Sequence, residues 1–414
     1  MLLTHTYHGK GGLGGPLRDA LQDRAASGSI RSLQLRGWDM DQLHSVISSL
    51  TLADEAIRDS SIESLTLEFT HLDISTFLTR HRFPKLRVLC LSTHAKVSSW
   101  DHFKLPATSL TTLSLKLPES SNPTTPQLFS ILAFYPNLQD LALYETVIPH
   151  DGGDGPAVRA PLHRLRKLCL VGDCCPVLRL LDRLEYPDTL DSVDLQLSEC
   201  PRDAISELLE PYLRDHIRRD GRFQNRLGIQ TSYTPGFVSF EVNTCESNIP
   251  TMPPECGYPS VSFVTVFRGG IPQSTGEKLC TNLVMVTPRE HVVYFRGELS
   301  MCAVRGLLIA MPNIEDLHLI QSVLSDTFLQ PYPLSHTKLL PSLRRLYLDY
   351  FTLENNDDWA PLMAYLTHQT SGGQTVSLRL LRGGSTPIPP EVVREIEGLV
   401  EEFDLGYSDD EGGG

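Results

Sequence analysis

One short motif recurs along the chain and constrains its fold more than any other feature. The motif is L-x-x-L-x-L, in which Ile or Val can replace Leu, and most consecutive copies begin 24 to 32 residues apart. Self-similarity at such a period predicts a repeat architecture rather than one continuous globular core. The nine copies begin at Ile30, Ile62, Leu86, Leu110, Leu138, Leu165, Leu190, Ile314 and Leu343.

The spacing inside each copy predicts its local structure. The second and third apolar positions lie two residues apart, so both side chains point to one face of a short strand. Segments with helical periodicity, such as 126–135 and 175–184, lie between copies. Three buried leucines contribute roughly 1.5 to 3 kcal/mol each, whereas ordering about 25 residues costs on the order of 25 to 50 kcal/mol. One copy therefore cannot fold alone, and we expect the copies to stack.

These features predict an α/β leucine-rich-repeat solenoid, in which a curved parallel sheet carries helices on its convex side. The motif fails in the middle third, because no clean copy begins between Leu190 and Ile314. Strand-like runs there indicate either degenerate repeats with loops or a small inserted β-domain. The runs cover 226–231, 236–242, 260–267, 282–286 and 290–295.

We therefore expect five segments. The last helix, over 389–403, carries a stripe of apolar residues and is predicted to cap the final repeat. The segments are a flexible Gly-rich lead-in with a short helix (1–29), N-terminal repeats (30–200), an amphipathic helix with degenerate repeats and loops (201–300), C-terminal repeats with the capping helix (301–405) and a disordered acidic tail (406–414).

Composition narrows the function classes. The 414 residues are 41% hydrophobic and carry a net charge of -14, which argues against binding to nucleic acid or to an anionic membrane surface. No apolar run is long enough to span a bilayer, and the first residues are too polar for a signal peptide. Nine cysteines without regular spacing favour a reducing compartment, so we expect the protein in the cytoplasm or nucleus.

No motif indicates catalysis, a cofactor or a metal. G-x-S-x-G, H-E-x-x-H, C-x-x-C and the phosphate-binding G-x-x-x-x-G-K-[ST] motif do not occur. We expect a non-enzyme, since an enzyme would need a site in the irregular segment from residues such as Cys280, Glu290 and His291, and no spacing supports one. Three weaker signals have simpler explanations. Gly9, Gly11 and Gly14 fit a nucleotide-binding pattern but are better explained by a flexible lead-in. A cation site at His150, Asp151 and Asp154 is better explained as a solvated turn, and a redox pair at Cys174 and Cys175 as two ordinary thiols.

What remains is a binding surface. In each strand the residue between the second and third apolar positions points to the concave face. Large groups of types enriched at interface anchors concentrate towards the C-terminal end of this face. The predicted protein-binding residues are Tyr144, His318, Arg345, Tyr347, Asp349 and Tyr350. The alternative is that they are ordinary half-exposed strand residues.

The chain also resembles a known family. Repeats of the form P-x-L-x-x-L-x-L, an ELLEPYLRDHI helix (207–217) and the AMPNIEDLHL segment (310–319) resemble the repeat region of fungal F-box leucine-rich-repeat-like proteins, over roughly residues 30 to 405. The resemblance implies that the repeats select a degradation substrate. It also implies an N-terminal F-box that docks on the Skp-type adaptor of a cullin ubiquitin ligase.

The first 29 residues contain no Leu-Pro-x-Glu helical signature of an F-box. Two functions are therefore expected. One is a substrate receptor of a Skp-cullin-F-box type ligase, with a substrate and a Skp-type adaptor as partners. The other is a stand-alone leucine-rich-repeat binding or inhibitor protein. Neither involves nucleic acid, a membrane or a cofactor.

Overall fold

The described part of the chain is a mixed α/β structure in which most strands pair in parallel. It divides into two compact units, residues 1–200 and 201–414, called unit 1 and unit 2. This computed structural model describes residues 2–6, 31–36, 62–69, 83–93, 97, 99–105, 109–117, 121–144, 147–149, 159–199, 201, 207, 209–224, 226–234, 237–244, 262–268, 281–297, 308, 310–320, 340–351, 359–382 and 388–407.

Unit 1 is built on parallel strands that follow one another in sequence order. The strands are β1 (Leu2–Thr6), β2 (Ser32–Arg36), β3 (Ser64–Phe69), β4 (Val88–Thr93), β5 (Thr112–Lys116), β6 (Asp140–Tyr144), β7 (Ala160–Pro161), β8 (Lys167–Asp173), β9 (Leu184–Glu185) and β10 (Ser192–Ser198). The short β7 and β9 pair separately with each other. Two α-helices, α1 (Thr125–Phe134) and α2 (Cys174–Arg183), occupy the segments in which helices were predicted.

The leucines of the motif set the register of these strands. Leu89 is aligned with Leu113, and Leu113 with Leu141. All three side chains are buried, with at most 2% of their surface exposed. Because strand residues alternate between two faces, this register places every intervening side chain on the opposite, polar face.

A repeated pair of backbone hydrogen bonds joins neighbouring copies, except those that begin at Leu190 and Ile314. The Glu63 carbonyl oxygen accepts from the Arg87 N–H at 2.7 Å and from the Val88 N–H at 3.0 Å. The backbone just before each strand is therefore held in the same way along the sheet. The equivalent oxygens that accept the same two bonds are those of Arg31, Arg87, Thr111, Gln139, Arg166 and Glu315.

Proline shapes the entry to several strands. The Leu138 N–H donates to the Tyr135 oxygen at 3.2 Å, and the Leu343 N–H donates to the Leu340 oxygen at 3.2 Å. Each turn has proline at its second position, where the fixed φ of proline suits a tight turn. The same proline stops the preceding segment, since α1 ends at Phe134, two residues before Pro136.

Unit 2 combines antiparallel and parallel pairing. Its strands are β11 (Leu227–Thr234), β12 (Phe237–Thr244), β13 (Ser262–Arg268), β14 (Val292–Gly297), β15 (Asp316–Ile320), β16 (Arg345–Phe351), β17 (Ser377–Arg382) and β18 (Phe403–Tyr407). Their spatial order is β13-β12-β11-β14-β15-β16-β17-β18, and only the pairs within β11–β13 are antiparallel. The longer helices are α3 (Glu210–Arg219), α4 (Ala360–Ser371) and α5 (Pro390–Glu397).

The middle segment shares a feature with each of the two sequence alternatives. Its strands belong to the sheet of unit 2, because β11 pairs in parallel with β14, but their antiparallel hairpin pairing is unlike that of stacked repeats. The apolar run 282–286, predicted as a strand, is helical over 281–286. Periodicity cannot separate helix from strand in so short an apolar run.

Both ends of the chain also depart from expectation. Residues 2–6 form β1 rather than a flexible lead-in, and the remainder of 1–29 lies outside the described residues. The predicted capping helix ends at Glu397, just before Gly398, and Phe403 begins β18. A strand therefore follows the helix, and 406–407 belong to that strand rather than to a disordered tail.

The two faces of one strand give a direct test of this arrangement. Leu346 is fully buried, whereas the adjacent Tyr347 is half-buried on the opposite face of β16. We expect Leu346→Ala to lower the free energy of unfolding by about 2 to 5 kcal/mol, because it leaves a cavity. Tyr347→Ala should cost less than half as much in urea unfolding followed by circular dichroism. Equal losses would contradict the assignment of the two faces.

Candidate functional site

The structure brings four of the six predicted binding residues together. His318 on β15 and Arg345, Tyr347 and Asp349 on β16 lie on the face opposite the buried leucines of these strands. This surface is called the polar face of unit 2. Tyr350 belongs to β16, but its side chain lies outside the described residues. Tyr144 belongs to unit 1 and has its own surroundings.

Arg345 is tied to an aspartate that the sequence did not single out. Asp316 is only 3% exposed, and its two carboxylate oxygens accept from the Arg345 guanidinium as a fork, with Nη2 2.7 Å from Oδ2. The hydrogen bond that Arg345 donates to Asp316 raises the pKa of Arg345 above its ordinary value. Because Arg345 neutralises a buried carboxylate, its first role is structural.

A second closed pair lies beside the first. His318 Nε2 lies 2.5 Å from Asp349 Oδ2, and the His318 ring is 5.6 Å from the ring of Tyr347. His318 is only 6% exposed. The other carboxylate oxygen of Asp349 is buried and has no hydrogen-bond partner among the described residues. These contacts hold His318 and Tyr347 in fixed positions on the face.

The strand register extends this site beyond the predicted residues. Arg296 on β14 is aligned with His318, which is aligned with Tyr347, and Tyr347 is aligned with Arg379 on β17. Arg296 is half-buried and forms no hydrogen bond or ion pair with any described residue. The Tyr347 hydroxyl also has no hydrogen-bond partner in the described part of the chain. Arg379 Nε lies 3.5 Å from Asp404 Oδ2.

Sequence reasoning missed Arg296 because β14 carries an altered motif. The strand reads Val292-x-x-Phe295-x-Gly297, with Phe and Gly at the two leucine positions. Phe295 is fully buried and aligned with Leu317. A Cβ on Gly297 would lie 2.6 Å from Thr231 Oγ1, so only glycine fits there without a shift. The run 290–295 was predicted as a strand, and a search that allowed aromatic residues and glycine at those positions would also have aligned it with the other copies.

In unit 1, Tyr144 belongs to a different chain of contacts. Tyr144 interacts with Cys169, and the Cys169 thiol donates to Asp194 Oδ2 at 3.6 Å. Burial raises the pKa of Tyr144, and burial with the nearby Asp194 carboxylate raises the pKa of Cys169 to about 12. Cys169 is therefore held as a neutral thiol, which makes it a poor nucleophile at physiological pH.

This contact chain predicts a slow reaction of Cys169 with alkylating reagents. At pH 8.5 we expect iodoacetamide to modify Cys169 in the folded protein at least about a hundredfold more slowly than in urea. Asp194→Asn should speed the reaction, because it removes a negative charge that disfavours the thiolate. Peptide mass spectrometry after timed quenching measures both rates.

The same shift has a consequence for stability. Because the folded pKa of Cys169 exceeds its ordinary value of 9.0, the stabilisation from the neutral thiol is complete below pH 9 and is lost between pH 9 and about 12. Equal alkylation rates of Cys169 in the folded and unfolded states would contradict its assignment as a neutral thiol.

The arginines near α3 do not form one basic patch. Arg222 pairs with the fully buried Asp220, with Nη2 2.7 Å from Oδ2, and Arg219 lies 4.0 Å from Asp215. Arg214 and Arg218 are exposed on the helix. Paired and exposed arginines of this kind are typical of a solvated helix face.

Among the described residues, no group of three or more His, Cys, Asp or Glu side chains could hold a metal ion. In this part of the chain no helix has the length and apolar character needed to cross a membrane. The glycine motif of 9–14, the turn 150–154 and Cys280 lie outside the described residues.

No family model, curated protein or solved structure matches the chain.

The buried ion pair predicts a contrast between two adjacent arginines. Arg345→Ala should lower the free energy of unfolding by about 3 kcal/mol, because it leaves the Asp316 carboxylate buried without its partner. Arg344→Ala should change it by less than about 0.5 kcal/mol, because Arg344 is exposed and its Nε lies 3.9 Å from Glu315. Urea unfolding measures both values.

Replacing both members of the pair gives the control. Arg345→Met together with Asp316→Leu should lose less stability than Arg345→Ala alone, since no charge is left unpaired. If Arg345→Ala were as mild as Arg344→Ala, Arg345 would be free to act in binding instead.

Proposed function

We propose that the protein is a leucine-rich-repeat solenoid whose polar face in unit 2 binds a partner protein without catalysis. The observation that carries the proposal is the aligned row Arg296–His318–Tyr347. His318, in the middle, is held by Asp349. The Arg296 guanidinium and the Tyr347 hydroxyl have no hydrogen-bond partner among the described residues and can bind another protein. The repeated motif and the recurring backbone hydrogen bonds support the solenoid part of the proposal.

The contacts within the face favour binding. The His318–Asp349 and Arg345–Asp316 pairs fix their side chains before a partner arrives, which lowers the entropy lost on binding. Tyrosine and arginine are the residue types most enriched at energetic centres of interfaces. Adjacent strands lie about 4.8 Å apart, so Arg296 and Tyr347, two strands apart in register, are separated by roughly 10 Å at the backbone. Both can contact a single partner segment.

The family resemblance extends the proposal. It makes the partner a degradation substrate and the protein a substrate receptor of a Skp-cullin-F-box type ubiquitin ligase. This step rests on analogy, because a fold does not determine a function. A stand-alone binding or inhibitor protein would use the same face without an adaptor.

The first experiment identifies the partner and then measures its affinity. Affinity capture of the tagged chain, followed by mass spectrometry, supplies the partner, and titration calorimetry with the purified proteins gives Kd. We expect Arg296→Ala to raise Kd at least about tenfold, as truncation of a central arginine does at interfaces. Arg214→Ala is the matched control, because Arg214 is exposed on α3 of the same unit. It should change Kd by less than about twofold.

A variant at position 347 tests the second side chain of the row. Tyr347→Phe keeps the ring beside His318 but removes the hydroxyl, so it isolates the polar contribution of that side chain. We avoid Arg345→Ala here, because its effect on stability would be mistaken for lost binding. Unchanged Kd in both Arg296→Ala and Tyr347→Phe would overturn the proposal. Recovery of a Skp-type adaptor and a cullin with the partner would favour the ligase receptor, whereas a partner recovered without them would favour the stand-alone binder.

A further inference from the structure

The last described strand of unit 2 has an edge without a partner strand. β18 pairs in parallel with β17, and no other described strand pairs with it. The Leu378 N–H donates to the Glu402 oxygen at 2.8 Å, so the backbone of Glu402 faces β17. Because alternate residues of a strand face opposite neighbours, the backbone groups of Phe403 and Leu405 face outwards. An edge of this kind can accept an additional strand.

The apolar side chains at this end are incompletely covered. Leu378 and Leu380 of β17 are at most 2% exposed, but their register partners Phe403 and Leu405 are half-exposed. On α5 only Ile396 is buried. The other apolar residues of this end are also half-exposed, namely Val392, Val393, Leu399 and Val400. The core of unit 2 therefore continues to this edge without being closed by a described element.

The surroundings of the edge are strongly acidic. Residues 390–405 contain six carboxylates and one arginine, Arg394, and all six carboxylate side chains are exposed. Asp404 pairs with Arg379, and Glu401 accepts a hydrogen bond from Thr375 at 3.1 Å. The four carboxylates without a partner among the described residues are Glu391, Glu395, Glu397 and Glu402. Complementary charge therefore selects a basic partner, and like charges disfavour pairing between two copies of this edge.

We propose that the β18 edge binds an extended segment of a partner protein in which lysine or arginine alternates with apolar residues. The backbone of the segment pairs with the outward groups of Phe403 and Leu405. Its apolar side chains cover Phe403 and Leu405, and its basic side chains meet the surrounding carboxylates. This surface is separate from the polar face of unit 2, so the inference does not depend on the function proposed above.

The test uses the full chain and a fluorescent peptide with the sequence KVKVKVK. We expect this peptide to bind, as measured by fluorescence anisotropy. Two peptides of the same charge serve as controls: KVKVKVK with N-methyl groups on alternate residues, and the reordered sequence KKKKVVV. Both should bind at least about tenfold more weakly, because the first cannot pair its backbone and the second cannot place apolar residues on one face.

Variants of the protein locate the site. Glu402→Lys should weaken binding of KVKVKVK about fivefold or more, because it reverses a charge at the start of β18. Glu207→Lys is the matched control, since Glu207 is exposed in the same unit and away from β18 in sequence. It should change Kd less than twofold. Hydrogen exchange should slow on binding at 403–407.

Three results would overturn the proposal. The first is equal binding of the N-methylated and unmodified peptides, which would indicate attraction by charge alone. The second is equal weakening by Glu402→Lys and Glu207→Lys. The third is a stable dimer in sedimentation velocity that Glu402→Lys alters and the peptide cannot dissociate, because the edge would then bind a second copy of the chain.

Discussion

The burial of two apolar side chains per strand, aligned with those of the next strand, is the interaction on which the structure depends. Leu113 and Leu115 of β5 are at most 1% exposed, and the register places them beside Leu141 and Leu143 of β6. A parallel strand has no hairpin partner close in sequence, so its pairing must come from the preceding and following motif copies. The same register fixes the opposite face, on which side chains are free to vary. The site is therefore a consequence of the way the core is built.

The motif predicted the strands well where leucine filled its positions. All nine copies form strands, and the helices at 125–134 and 174–183 fall where periodicity placed them. The strands without a clean motif were missed or not placed in register. β14 has Phe and Gly at the leucine positions, β18 has Phe403, and β17 has Thr375 at the first position. A strict pattern of leucines does not allow these residues.

The site was predicted less completely than the fold. Periodicity placed His318, Arg345, Tyr347 and Asp349 on one face, because alternation along a strand is a local property. It did not indicate which of them were already paired. Asp316 is 29 residues from Arg345, and Asp349 is 31 residues from His318, so both pairs depend on register between strands. Arg296 was missed because the altered motif of β14 concealed the register of this strand with β15.

Site-specific photo-crosslinking tests the central claim most directly, because it reports which side chains a partner touches. A photoreactive phenylalanine analogue is placed at Arg296, at Tyr347 or at the exposed control position Arg214 in the full chain, and crosslinked species are identified by mass spectrometry. The account predicts that positions 296 and 347 crosslink to the same partner and that position 214 does not. A partner that crosslinks from 214 but from neither 296 nor 347 would contradict the assignment of binding to the polar face of unit 2.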